Sequence, residues 1–559
     1  MKNFLLCLFV FIILTVFNCL FAFEWPRDST YLNIKINDDT TTELQNEEQI
    51  VMNPKDSTNL VAVWRDFRLG YRQVGYGYSF DGGLTWNQDL FDEPQYIWDS
   101  DPGLTVDTAG NFYAVILSYT GSTSDPNGLF VLKSTDGGMT WGEPVTVING
   151  VPDVFEDKEL IACDRSGGPY TDNLYVAWAR FGGPDILLSR SIDGGSTFES
   201  PVMVSDISGV QWPVPCVGPN SEVYVGWVQF SPGAIRFDRS FDGGETFGDD
   251  ITMQNLTFVA GYIYGDIRIY SFPAMDVDIT GGPYNGNICV AYMDYAPGNT
   301  DTDIYFTRST DSGSTWSERV RINDDPLNNG CDQFHPWLTV APDGSIIVVF
   351  LDRRLDPGNL LMDLYMTTST DGGDTWSPNE RITTVSSDPT AGSESHALEY
   401  TTDEFPIKIT EPTILAGRAG LLGEYIGVTA SAIDDIHPIW TDTRFGHQDV
   451  FVGVKDTIVP YVQEHGSDAI KDAVVSVLPN PARERIIITI KRQESLVVSS
   501  NAIVKIFDIS GRVIKTFNKP HRRIIWNRRN DRGELVASGV YFCCVESKNL
   551  FIIRKFTLL

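Results

Sequence analysis

Ser79-Phe-Asp81-Gly-Gly83-Leu-Thr85-Trp86 decides how this chain is read. Asp followed by Gly marks a tight turn, because glycine takes positive φ at no steric cost. The carboxylate can accept from backbone N–H groups across the turn, and the Ser and Thr hydroxyls can close the same loop. The final aromatic residue is a large apolar anchor able to wedge against a neighbouring unit. The pattern therefore pins a hairpin. It returns at 134–141, 191–198, 240–247, 309–316 and 369–376, ending in Trp141, Phe198, Phe247, Trp316 and Trp376. The Asp residues (Asp81, Asp136, Asp193, Asp242, Asp311 and Asp371) recur 49–69 residues apart, a spacing typical of arrays and propellers. A bare Asp-x-Gly lacks the alternating carboxylates of a calcium loop, so the motif predicts a structural turn with no metal and no cofactor.

Short β-patterned runs surround each motif. In the unit carrying the sixth copy, 335–340 reads as a first strand and 345–350 as an apolar second strand. The alternating run 363–369 leads into the motif, and 381–385 follows it. That makes four strands per unit, with the motif between the third and fourth. A seventh set, at 424–429, 436–440 and 449–454, lacks a motif and a fourth strand. The N-terminal run Leu32-Asn-Ile-Lys-Ile-Asn37-Asp-Asp39 resembles Val320-Arg-Ile-Asn323-Asp-Asp325 and supplies the missing strand. Such a closure removes the free edges of the array. The expected fold is all-β: a propeller over about 28–456, of seven blades with six as the alternative, followed by a small β-sandwich.

The chain has 559 residues, a formal charge of −32 and 42% hydrophobic residues, enough for a large core. So acidic a protein gains nothing from counterion release on nucleic acid, which excludes that partner class. Lys2 followed by the apolar run 4–17 and Phe21-Ala22 reads as a signal peptide over 1–22. Six cysteines remain after it (Cys163, Cys216, Cys289, Cys331, Cys543 and Cys544), too sparse to specify a disulfide framework; buried free thiols are expected. From residue 474 onward sixteen Lys/Arg stand against six Asp/Glu, which leaves the preceding chain at about −42. This charge reversal marks a second domain over 474–559, after a linker at 457–473.

The six motifs resemble the Asp-box (BNR) repeats of the sialidase superfamily. That resemblance implies a glycan or glycoprotein ligand and an exo-α-sialidase type of hydrolysis. A non-catalytic surface propeller and a hydrolase of another polysaccharide are the alternatives. It implies three arginines holding a carboxylate, with a Tyr nucleophile, a Glu partner and an Asp acid/base. Asp66-Phe-Arg68, Asp352-Arg-Arg354 and Asp442-Thr-Arg444 each end a second strand, in units one, six and seven. Arg68, Arg354 and Arg444 are thus the candidate clamp, since the guanidinium fork matches a carboxylate. The other reading pairs each arginine with its own Asp two residues earlier, on the same side of the strand. Glu424-Tyr425, at the start of the seventh set, and Asp101 are the candidate catalytic groups. Asp99, Asp157 and Glu159 are further carboxylates in the connections entering units two and three. The start motif of sialidase catalytic domains, Phe/Tyr-Arg-Ile-Pro, is absent; Phe67-Arg68-Leu-Gly70 echoes it in part. Connections on the face opposite the motifs are longer, 386–422 most of all, and place the site on that face.

The tail carries Leu478-Pro-Asn480-Pro481, Asp508-Ile-Ser-Gly511-Arg512 and Gly539-Val-Tyr-Phe542. It resembles the C-terminal sorting domain of type IX secretion substrates, with an FlgD-type Ig-like fold. The resemblance implies a protein exported to the cell surface or released, which meets outer-membrane secretion machinery through this domain; the protein is expected to be a monomer.

Overall fold

The computed structural model describes residues 29–91, 96–120, 126–151, 153–182, 185–295, 301–391 and 422–455, then 473–478, 486–492, 503–508, 512–518, 523–547 and 550–558. The signal-peptide reading of 1–22, most of the 386–422 connection and all of the 457–473 linker except Ala473 lie outside them. The chain divides into two compact units, Met1–Thr457 and Ile458–Leu559.

The described residues of the first unit form seven four-stranded antiparallel sheets and one two-stranded hairpin, the arrangement of propeller blades. The sheets begin at Gln45–Asn53, Trp98–Val106, Phe155–Cys163, Val210–Val217, Ala274–Val277, Gln333–Val340 and Gly427–Ala432. These first strands pack side by side in that order, and Gly427–Ala432 returns to Gln45–Asn53. Second strands such as Phe112–Tyr119 are buried along their whole length, so they read as unbroken apolar runs.

All six motifs make one set of bonds. Ser79 Oγ donates to Asp81 Oδ1 at 2.9 Å, and Gly83 N–H donates to Ser79 Oγ at 2.9 Å. Thr85 gives its N–H to Asp81 Oδ1 and its hydroxyl to Oδ2, at 2.8 and 2.7 Å. In the sixth copy the Thr375 hydroxyl and backbone hold the Asp371 carboxyl down at about 2. The terminal rings wedge into the preceding sheet: Trp141 packs edge-on against Phe91, Trp316 against Phe237 and Trp376 against Phe306. Gly313 shows why glycine stands in the turn. Its φ is +82°, and an added Cβ would lie 2.1 Å from the Phe237 ring of the sheet before.

The N-terminal strand Tyr31–Lys35 closes the seventh sheet, pairing with Asp449–Lys455 from Tyr31↔Lys455 to Lys35↔Phe451. Asn37 then latches it. Its Nδ2 donates to Asp39, Gln45 and Asp449 at 3.1, 3.1 and 3.0 Å, and its Oδ1 accepts from Val450 N–H at 2.9 Å. Asn323 repeats the arrangement in the fifth sheet, bonded to Asp303, Asp325 and Gln333 and accepting from Ile304 N–H. The shared Ile-Asn-Asp-Asp is thus a cassette that ties a fourth strand to the next first strand.

The second unit has a three-stranded sheet (Ala473–Leu478, Ile486–Arg492, Arg523–Trp526) and a four-stranded one (Val513–Asn518, Ile503–Asp508, Gly539–Ser547, Leu550–Leu558). Ile486, Ile488 and Trp526 of the first share a core with Val504, Ile506, Cys543 and Val545 of the second, which makes a β-sandwich. The six cysteines after residue 22 are buried, and Cys163, Cys216, Cys289, Cys331 and Cys543 are free thiols.

Candidate functional site

Five first strands share an irregularity that builds the site. In each, two residues stand against one across the ladder: 47–48, 101–102, 158–159, 212–213 and 335–336. The leading residue of each bulge (Glu47, Asp101, Lys158, Trp212 or His335) has a left-handed φ between 47° and 58°. That conformation costs a non-glycine residue about 1–2 kcal/mol, and bulges serve to re-aim side chains. Three bulges end in proline (Pro102, Pro213 and Pro336), which cannot donate to a ladder.

Residues of six neighbouring sheets converge at the centre of the ring. Asp101, Lys158, Glu159, Trp212, Trp337, Phe272 and Tyr425 line one cavity of about 10 Å³, roughly what a single water molecule needs. Lys158 is its hub. The ammonium lies 2.9 Å from Glu424 Oε2, 3.2 Å from Asp101 Oδ2 and 3.7 Å from Glu47 Oε1. Trp212 Nε1 donates to Glu424 at 3.1 Å, and the first sheet adds Glu47, 3.4 Å from the Arg65 guanidinium. The Tyr425 hydroxyl donates to the Pro102 carbonyl at 3.2 Å. The opposite wall is aromatic, with Trp212 tilted against Tyr270 and stacked on Phe272, and Trp337 near Tyr425.

Burial dominates the ionisation of these groups, and neighbours decide its sign. Burial lowers and four carboxylates, Asp101, Glu424, Glu47 and Asp157, raise the Lys158 ammonium, which ends well above the usual lysine range. Burial raises Asp101, but Lys158 and Arg65, with hydrogen bonds to Glu47 and Ser100, together outweigh it and hold the carboxyl below its ordinary value. Glu47 and Glu159 are pushed well up, each by burial first and by Asp101 in addition. Glu159 is 1% exposed, and neither of its carboxyl oxygens has a hydrogen-bond partner. Glu48, beside Thr441 Oγ1 at 2.7 Å, is raised by burial to about 8.

Glu48 makes stability depend on pH. A carboxyl raised in the folded state contributes stability below its unfolded value near 4.5, which is lost as pH climbs through about 8. His335, lowered by burial to about 3, acts the other way but is neutral in both states above about 6.5. Unfolding free energy is therefore expected to fall between pH 6.5 and 8. Glu48→Gln should flatten that slope by up to about 1.4 kcal/mol per pH unit, read by urea titrations across the range.

The candidate residues separate into two sets. Asp101, Glu424 and Tyr425 are brought together. Asp99, Asp101, Asp157 and Glu159 lie inside first strands rather than in the connections before them, a correction explained by the bulges. Arg68, Arg354 and Arg444 are not brought together. Arg68 is closed on Asp66 at 2.7 Å, Arg354 on Asp352 at 2.7 Å and Arg444 on Asp442 at 2.6 Å. Arg354 also reaches Asn379, and Arg444 reaches Asn33; no two of the three share a hydrogen-bonding partner among the described residues. Each Asp also accepts its arginine's backbone N–H, so the motif caps the end of a second strand. The sequence does not single out Glu47, Lys158 or Trp212. Proline inside a first-strand pattern, at 102, 213 and 336, is the one signal in the chain for the bulges. Among the described residues no three His, Cys, Asp or Glu side chains are placed to hold a metal ion.

Comparison with known proteins bears mainly on the second unit. A Hadza microbial sialidase is 17% identical, with a TM-score of 0.40 over 56% of this chain and 63% of its own length. The intramolecular trans-sialidase of Ruminococcus gnavus, in complex with oseltamivir carboxylate, is 13% identical, with a TM-score of 0.42 over 58% of this chain and 94% of that one. The α-L-arabinanase of Penicillium chrysogenum, complexed with arabinobiose, is 13% identical, with a TM-score of 0.39 over 58% and 92%. This chain thus spans under two thirds of the Hadza protein. No curated protein matches. Residues 476–558 match the family described as the secretion system C-terminal sorting domain. The chain therefore ends in a type IX sorting domain, and the protein is exported to the cell surface or the extracellular space.

Proposed function

We propose that residues 28–456 are a closed seven-bladed propeller that binds a neutral glycan over its central residues, on the face opposite the Asp-box turns, with one ligand hydroxyl entering the central cavity. Residues 1–22 act as the signal peptide and 457–473 as the linker to the sorting domain at 474–559; the mature protein works as a monomer. One observation carries the reading. Glu159, buried and without a partner, faces a cavity walled by Trp212, Phe272 and Trp337. A buried carboxyl left unpaired costs about 1–3 kcal/mol, which a ligand hydroxyl would offset. Aromatic faces suit the apolar side of a sugar ring. Neutrality follows from charge: Lys158 and Arg65, the cations in contact with the central carboxylates, already face them, Arg268 stands on the Tyr270 ring, and the three clamp arginines are closed on their own Asp residues.

Hydrolysis of a neutral polysaccharide is a second reading, favoured by one feature. Asp101 is held ionised beside Glu47 and Glu159, whose protonated forms are favoured; opposed ionisation of this kind suits a base and an acid. The test is calorimetric titration of the mature protein with neutral oligosaccharides, together with reducing-end release from the polymers and turnover of an aryl α-sialoside. Saccharide binding that Glu159→Gln weakens at least tenfold is expected. New reducing ends that vanish in Glu159→Gln would establish the second reading. Turnover of the sialoside would overturn the neutral-ligand reading.

A further inference from the structure

Where one sheet of the first unit passes to the next, the chain leaves a fourth strand and crosses to the following first strand. The joint from the fifth sheet to the sixth is pinned by a cation. Asp324 N–H donates to Asn379 Oδ1 at 2.8 Å, and Asn379 N–H donates to Asp324 Oδ2 at 2.9 Å. Arg354 lies across this pair, donating to Asn379 Oδ1 at 2.8 Å and to the Asp324 carboxylate. The joint from the sixth sheet to the seventh follows the same plan. There Thr384 N–H and the Arg444 guanidinium both donate to Asn33 Oδ1, at 2.8 and 3.0 Å.

The joint from the third sheet to the fourth keeps the plan and lacks the arginine. Asp206 takes the place of Asp324: each stands two residues after one whose N–H bonds back into the sheet, Val204 to Ile186 and Ile322 to Ile304. Asp250 takes the place of Asn379, three residues after the aromatic residue that ends the Asp-box motif. The reciprocal bonds are the same. Asp206 N–H donates to Asp250 Oδ1 at 3.0 Å, and Asp250 N–H donates to Asp206 Oδ2 at 3.1 Å. The second strand of the fourth sheet, however, ends in Gln229-Phe-Ser231 where the sixth has Asp352-Arg-Arg354. Arg236 acts on Asp250 from a distance, its guanidinium engaged by Gln229 at 2.7 Å and by Thr252.

A third carboxyl faces this pair. Asp238, on the neighbouring strand Ala234–Ser240, is 1% exposed. Its Oδ1 accepts from the Arg239 and Gly248 N–H groups, at 2.7 and 3.1 Å. Among the described residues, Asp238 Oδ2 and Asp250 Oδ2 are buried without a hydrogen-bond partner. Like charges gathered out of water favour the protonated form of one another. Burial first, then Asp250 and Asp206, push the Asp238 carboxyl up to about 6. Burial also raises Asp250, with Asp206 and Asp249 adding to it and the Asp206 N–H and Arg236 opposing it.

We infer that this joint is a pH-sensitive clasp: a proton held between Asp238 and Asp250 does there what a guanidinium does before the sixth sheet, and its loss loosens the passage from the third sheet to the fourth. The clasp bears on the central cavity, because Asp206 stands six residues before Trp212, on the connection into the strand Val210–Val217. The sign follows from linkage. A carboxyl raised in the folded state adds stability in acid, and that share is lost as pH climbs through the folded value. The joint is therefore tight at pH 4 and loosened by pH 7.

Hydrogen exchange of the mature protein between pH 4 and 7, read by mass spectrometry and corrected for intrinsic rates, tests this. Protection of the amides at 204–207 and 247–251 is expected to fall by roughly fiftyfold over that range, while those at 322–325 and 377–380 change far less. Asp238→Asn keeps the shape and an acceptor for both backbone bonds, and should flatten the fall. Asp250→Asn copies the arrangement at Asn379, offers Asp238 Oδ2 a donor, and should keep the joint protected at pH 7. Equal pH dependence at the two joints, or a fall that survives Asp238→Asn, overturns the clasp.

Discussion

Lys158→Met is expected to destabilise the N-terminal unit by about 3–5 kcal/mol, more than any other single substitution proposed for this protein. The ammonium is the cation nearest to both Asp101 and Glu424, and all three side chains are buried. A buried pair adds little net stability over an apolar pair of equal shape, but breaking one by removing a partner strands a charge. Methionine keeps the length of the stem and removes only the charge. Urea unfolding followed by tryptophan fluorescence measures the loss. Asp101 is now held low chiefly by Lys158, so in the variant its folded value rises and its contribution shifts toward acid. The deficit should therefore shrink as pH falls from 7 to 5. Adding Asp101→Asn and Glu424→Gln to Lys158→Met should recover much of the stability. A deficit that neither acid nor the triple variant reduces would show that Lys158 acts through packing, not charge.

Asn37→Ala comes second, at about 2–4 kcal/mol. It strands the Val450 N–H, deprives the Gln45 side chain of a partner, and takes one donor from the buried Asp449 carboxylate, which keeps Lys35 at 2.6 Å. Asn323→Ala breaks the same bonds in the fifth sheet and is the internal control. The two should differ in kinetics. The strand Tyr31–Lys35 is joined to its own sheet by non-covalent contacts and not by chain continuity, whereas the fifth sheet is continuous in sequence from Ala274–Val277 to Val320–Arg321. Release of Tyr31–Lys35 bares the edge of Asp449–Lys455, an invitation to aggregation. Asn37→Ala should therefore unfold faster and aggregate at lower temperature than Asn323→Ala, seen by stopped-flow unfolding and light scattering on heating. Equal behaviour of the two would mean that the N-terminal strand is not the weak point of the sheet array.

The readable parts of this protein are those whose physics is local. Asp81, Thr85 and Trp86 lie within eight residues of Ser79, so the turn and its bonds follow from the motif itself. The same holds for Asp66 and Arg68: the strand ends at Asp66, whose carboxylate takes both the backbone N–H and the fork of the arginine two residues on, before any substrate can. The repeated Ile-Asn-Asp-Asp points to the N-terminal strand as the missing fourth strand, because a cassette serving the same contacts keeps the same letters.

The central cluster is only half legible. Glu424, Tyr425 and Asp101 can be named as carboxylates and a hydroxyl near first strands, but Glu47, Lys158 and Trp212 cannot. Each sits in a strand whose alternation assigns it a side, and the bulge reassigns it. The two-stranded hairpin Ala260–Ile263 with Ile267–Tyr270 escapes a reading of the chain as well, since its isoleucines look like any short strand.

The chain's own letters thus settle the four-strand unit, the turns that repeat it, the strand that completes the last sheet, and the exported tail. Those depend on neighbours in the chain and on periods of two. Tertiary structure alone decides which charges meet. Glu47, Asp101, Lys158 and Glu424 are separated by up to hundreds of residues, and only the return of the last first strand onto the first brings them to one buried point. There water no longer screens them, so the partner each finds, and with it the ionisation of each, is a property of the assembled ring.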